Sequence, residues 1–224
     1  IRQAVKDHTL EAFSEPLQIG MQVFYALKEI GIIYQVDPTS PFTAVQSNPQ
    51  VVDSISLPRD TLKRLTGDCD DLTVLYCSLL EAVGVQSAFV TVPGHIFAAF
   101  NTKVPSKSYA SIHPDMGMSL NIEGELWVPV EITMIGTDDF LSSWRKGIEE
   151  FRSLDSSPEK RGLYFTKSSQ EIYRPVGLRE TDLGIQYGSK SNIINDFKVC
   201  LEKVVDFIIE DSAQAAAKSE HKVA

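Results

Sequence analysis

The chain has 224 residues, 43% of them apolar, 23% charged and 9% aromatic, which is ordinary globular usage and excludes disordered, collagenous and disulfide-scaffold classes. With 30 acidic residues against 21 basic, the formal charge is −9. That balance argues against a nucleic-acid or anionic-membrane partner, because phosphate binding needs clustered Lys and Arg.

No apolar run reaches the ~18 residues of a membrane span, so none is expected in this segment. The chain opens on Ile1 with no signal peptide and reads as a piece of a longer protein. Its three cysteines, Cys69, Cys77 and Cys200, are odd in number, so at least one thiol is free.

Residues 17–30 place Leu17, Met21, Phe24, Leu27 and Ile30 on one helical stripe that Gly31 ends. Residues 35–50 carry three prolines and polar side chains and predict an extended loop. A short basic helical turn follows Leu57-Pro58 and ends near Thr66-Gly67. From Asp68 to Gly84 the pattern is a well-capped helix, acidic in its first turn and apolar nearly all round, which predicts burial in the core.

The period then changes. SAFVTV (87–92), HIFAAFN (95–101) and ELWVPVEIT (125–133) are aromatic and β-branched runs, separated by Pro93-Gly94 and by a polar loop at 102–124. They read as neighbours in an antiparallel sheet. Residues 140–154 return to helical spacing behind Asp138 or Asp139, and 155–190 read as loop with a short helix. The final helix starts near Asn192 and carries a stripe from Ile193 to Ile209. The division expected is one domain over 1–190, with 191–224 a C-terminal helix and tail packed on it or leading to a neighbouring domain.

Chemistry points first to Cys69. At a helix start, the partial positive charge favours thiolate, and the local amide is a ready oxyanion donor. Asp68, Asp70 and Asp71 work against ionisation and are expected to cap the helix. His95 follows a glycine at a strand start, and Glu131 is a carboxylate among aromatic and β-branched neighbours, where a charge needs a partner. These are a nucleophile, a base and an orienter in chain order, 26 and 36 residues apart.

The strings GDCDDLTVLYCSLLEAVGV, VPGHIFAAF and LWVPVEITM resemble the transglutaminase-like superfamily, the papain-like cysteine enzymes and their bacterial relatives. The resemblance covers about residues 57–145. It implies an α+β fold with a papain-like transglutaminase core, the cysteine on a central helix packed against an antiparallel sheet. It also implies Cys69 as nucleophile, His95 as base and Glu131 as orienter, acting on a protein or peptide substrate with no cofactor. A cysteine peptidase or amidase is favoured over crosslinking, and a periplasmic or secreted setting over a cytoplasmic one. Most of the family has Asp where this chain has Glu131, one methylene longer, so its strand should stand slightly further from the histidine.

Other residues carry less. Cys77, some 12 Å along the helix from Cys69, is too far for a disulfide and reads as core filler, as does Cys200. His113 reads as a surface-loop residue, and His8 and His221 carry no signal. The acidic cluster lacks the glycine-centred loop of a calcium site, so no metal is expected. Trp127 and Trp144 suit either the cleft or the core. Two rival readings remain: a non-catalytic binding or scaffolding domain, and a metal-dependent hydrolase.

Overall fold

The computed structural model describes residues 10–11, 13–36, 54–180, 182–186 and 188–206, and the helical backbone onward to 220. His8, His221 and most of the loop expected over 35–50 lie outside the described residues.

Helix α1 (Glu15–Glu29) begins where the Ser14 hydroxyl accepts the Leu17 N–H, and Gly31 at φ +88° ends it. Strand β1 (Ile33–Tyr34) follows. Helix α2 (Pro58–Arg64) closes with Leu65 in the left-handed conformation, its N–H reaching Thr61 O at 2.8 Å. Strand β2 (Thr66–Gly67) then pairs in parallel with β1. Helix α3 (Cys69–Ala82) is capped by Asp68, so Cys69 is its first residue.

Five strands form an antiparallel sheet: β3 (Ser87–Val92), β4 (His95–Pro105), β5 (Leu120–Ile122), β6 (Glu125–Val130) and β7 (Gly162–Phe165), in the order β5-β6-β4-β3-β7. The fold is therefore mixed α+β. Helix α3 lies on β3 and β4, burying Leu72, Leu75, Tyr76, Cys77 and Leu80. The fully buried Tyr76 hydroxyl donates to Gly20 O of α1 at 2.9 Å.

Helix α4 (Phe140–Arg152), capped by Asp139, packs on β6. A Cβ on Gly147 would stand 2.9 Å from the Pro129 carbonyl group, so glycine is what lets the two backbones meet. Helix α5 (Thr166–Ile172) follows β7 directly. Helix α6 (Lys190–Glu220) packs on α1 and buries Ile193, Phe197, Cys200, Leu201 and Val204.

Three elements differ from the sequence pattern. The polar loop at 102–124 contains the end of β4, two 3₁₀ turns and β5. The stretch 155–190 supplies the edge strand β7, paired with β3 through Ala88–Phe165 to Thr91–Gly162. And β6 stops at Val130, leaving Glu131 to cap a 3₁₀ turn over Ile132–Met134.

Candidate active site

The start of α3 is fixed from three sides. Asp68 Oδ1 accepts the Asp71 N–H at 3.3 Å. Asp71 Oδ1 accepts the Ser56 N–H at 2.6 Å, and its Oδ2 meets Arg64 at 3.2 Å. The Thr73 hydroxyl donates to Cys69 O at 2.6 Å and lies 3.4 Å from Ile96 O, which ties the first turn of α3 to β4. At the first helical position, the Cys69 N–H has no acceptor within its own helix.

His95 opens β4 directly after a two-residue turn. Gly94 takes φ +77°, which lets Val92 and His95 pair across it. The His95 Nε2 lies 2.6 Å from Glu131 Oε2. A carboxylate only accepts, so Nε2 carries the proton and Nδ1 is the nitrogen left for another partner. Cys69 is within hydrogen-bonding reach of that ring.

Glu131 is 3% exposed and fully engaged. Its Oε1 accepts the Thr133 N–H at 3.2 Å and the Thr133 hydroxyl at 2.6 Å, while its own N–H donates to Ser143 O at 3.0 Å. Burial lowers the affinity of the His95 ring for its second proton, but hydrogen bonds to Cys69 and Glu131 and their charges outweigh it and raise the pKa to about 10. The ring is thus held where its protonated form is favoured.

Comparison with family models, curated proteins and solved structures gave no match.

An open cleft of about 300 Å³ flanks the start of α3, lined by residues including Gln35, Val36, Ser56, Arg64, Gly67 and Asp68. Tyr34 stands beside it. Its hydroxyl is pushed above the ordinary tyrosine range by burial, and then by the charges of Cys69, Asp68 and Glu131. The sequence gives no signal for Tyr34, because its place depends on the pairing of β1 with β2. Thr133 was equally hidden, although a hydroxyl two residues past a buried carboxylate is a recurrent local cap.

The remaining candidates lie elsewhere. Cys77 is fully buried, its thiol pushed up to about 12 chiefly by burial, and Cys200 is pushed up to about 11 for the same reason. Both are core residues. His113 is not a surface residue, as its polar loop suggested: it is 7% exposed, edge-on to Trp144 with ring centroids 5.5 Å apart, and its Nδ1 accepts the Asp115 N–H. The 3₁₀ turns of that loop fold the ring inward. Trp144 is in the core, donating to Met118 O, and Trp127 stacks edge-on against Phe165 at the other end of the sheet.

The carboxylates of Asp68, Asp70 and Asp71 lie within 4.8 Å of one another, a spacing that could hold a cation. The Asp71 group, however, is already taken by Arg64 and the Ser56 N–H. Among the described residues no helix is long and apolar enough to cross a membrane.

Proposed function

We propose that this chain is a thiol-dependent acyl-transfer enzyme of the transglutaminase-like, papain-like kind, acting on amide or peptide bonds and favouring hydrolysis. The observation that carries the reading is the ordered line of three groups. Glu131 holds one nitrogen of His95 at 2.6 Å, Cys69 bears on the protonation of the same ring, and Cys69 opens a helix. A ring with a raised pKa beside a thiol is suited to take up the thiol proton as the sulfur attacks.

In the reaction, the Cys69 sulfur bonds to the amide carbonyl carbon and the carbonyl electrons move to oxygen. The Cys69 N–H then stabilises that oxyanion. His95 gives its Nδ1 proton to the leaving nitrogen as the C–N bond breaks, producing a thioester and a free amine. It next takes a proton from water, whose oxygen attacks the thioester, returning the acid and the thiol. Glu131 keeps the ring in the productive tautomer throughout.

A second reading, a domain that keeps the fold and binds without turnover, is favoured by one observation: Cys69 is only 7% exposed. One experiment separates the two. Iodoacetamide at neutral pH with mass mapping should label Cys69 rapidly and leave Cys77 and Cys200 unmodified in the folded protein. Equal, slow labelling of Cys69 and Cys77 refutes the enzyme reading.

A further inference from the structure

A second open cavity lies at the far end of the sheet from Cys69. It measures about 520 Å³, within the ~300–1,000 Å³ of small-ligand sites. Glu81 on its wall stands twelve residues beyond Cys69 on α3, or roughly 18 Å along the helix axis. The cavity is therefore separate from the thiol chemistry.

Its polar floor is held rigidly. Asn101, 2% exposed, donates through Nδ2 to Gln86 Oε1 at 3.1 Å and to Glu125 Oε2 at 2.6 Å, and its Oδ1 accepts the Lys103 N–H at 2.7 Å. A bulge between Asn101 and Pro105 contains Lys103 at φ +61°. From there the Lys103 ammonium donates to Gln86 Oε1 at 2.5 Å and meets Glu125 Oε2 at 3.4 Å. Two donors on one atom settle which end of the Gln86 amide is oxygen. The Nε2 end has no acceptor among the described residues.

Trp127 offers another unspent donor. It is in register with Asn101, lines the cavity and is 5% exposed, yet its indole N–H has no acceptor among the described residues. A buried tryptophan ordinarily finds one. On the wall made by α3 and β3, Glu81 Oε1 takes the Ser87 N–H and hydroxyl at 2.6 and 3.0 Å, which leaves Oε2 as an acceptor. Ile122 and Phe165 add apolar surface.

The neighbouring charges decide what can meet these groups. A ligand carboxylate on Gln86 Nε2 would stand near Glu125, and a ligand ammonium on the same floor would stand near Lys103. A hydroxyl avoids both penalties, because it is neutral and both donates and accepts. We infer that this cavity binds a saccharide. Its hydroxyls accept from Trp127 and Gln86 and donate to Glu81, while the C–H face of a sugar ring lies against Phe165 and Ile122.

The chain's two tryptophans give a site-resolved test, since Trp144 already donates to Met118 O in the core. Their indole signals are followed by ¹H–¹⁵N correlation spectroscopy while maltose, cellobiose, lactose or N,N′-diacetylchitobiose is added to about 10 mM, ten times a Kd of ~1 mM. At least one sugar should shift the Trp127 signal saturably and leave Trp144 still. Sodium acetate and glycine, an anion and a zwitterion, should leave both unmoved. Gln86→Glu keeps the Oε1 that Asn101 and Lys103 hold but turns the free donor into an acceptor, so it should weaken sugar binding at least about fivefold. An unchanged Trp144 signal in the variant checks that it is folded. A Trp127 signal that ignores all four sugars, moves equally with acetate or glycine, or titrates identically in Gln86→Glu overturns the inference.

Discussion

Replacing Glu131 by glutamine preserves the shape of the site and removes the charge that faces His95. The unperturbed imidazole value is 6.5 and the ring stands at about 10, although burial alone would push it below 6.5. The partners therefore supply more than the net rise. An opposite charge in contact moves a pKa by about 1–3 units, so Glu131→Gln should bring His95 down by that amount, or roughly 1.4–4 kcal/mol of preference for the imidazolium. The amide also offers an N–H where a carboxylate offered only acceptors. A neutral ring will turn its lone pair toward that N–H and place its proton on the other nitrogen, leaving the thiol without a base.

The sign of the pH effect follows from the direction of the shift. A pKa raised in the folded state contributes stability that is full below the unfolded value of 6.5 and is lost as pH climbs through about 10. The variant should lose it earlier, so the two melting temperatures should converge at alkaline pH. The assay is a ¹⁵N-histidine titration of both proteins across that window, read beside the iodoacetamide rate at Cys69. That rate should fall at least about tenfold in the variant, since each unit of pKa is a factor of ten. A parent midpoint near 6.5, or the same midpoint in both proteins, refutes the reasoning.

Other outcomes follow from single contacts. Thr133→Val removes the hydroxyl bond to Glu131 Oε1 and should cost on the order of tenfold in Cys69 alkylation rate, with Thr133→Ser close to the parent. Gly147→Ala forces a methyl into the Pro129 backbone and should lower stability by about 1–3 kcal/mol in urea unfolding; an unchanged midpoint would show that α4 can shift away from β6. Asp71→Ala leaves the Ser56 N–H without its acceptor, while Arg64 keeps Ser56 Oγ, and should cost ~1–3 kcal/mol by the same measurement. Tyr76→Phe removes the hydroxyl's bond to Gly20 O, a carbonyl that keeps its own helical partner, and should cost about 0.5–1.5 kcal/mol, checked by calorimetry.

The start of α3 was legible because its signals are local: a capping aspartate, an acidic first turn and a glycine stop, all within Asp68 to Gly84. The turn before His95 was legible for the same reason, since Pro-Gly between β-branched runs admits few conformations. Glu131 was found, but in the wrong setting. Alternation carried ELWVPVEIT on as a strand to Thr133, and nothing in those letters says that Ser143 of α4 takes the Glu131 N–H and Thr133 closes a turn on its carboxylate. Strand β7 was missed because GLYF is four residues beside loop-forming neighbours, and only the register with Ala88 to Thr91 makes it a strand. The burial of His113 and the place of Tyr34 also depend on partners far along the chain, which local pattern cannot reveal.

Pro129 has a bearing on how safely this sheet can exist in a crowded solution. Strand β5 pairs with β6 only as far as Trp127, so beyond that residue β6 has an open flank. Pro129 lies opposite Ala99 in that stretch, and with no N–H to offer it cannot extend a ladder outward. Helix α4 closes over the same flank, brought in to van der Waals range by Gly147. Together they deny an incoming strand of another molecule the row of hydrogen bonds from which intermolecular zippering and aggregation begin.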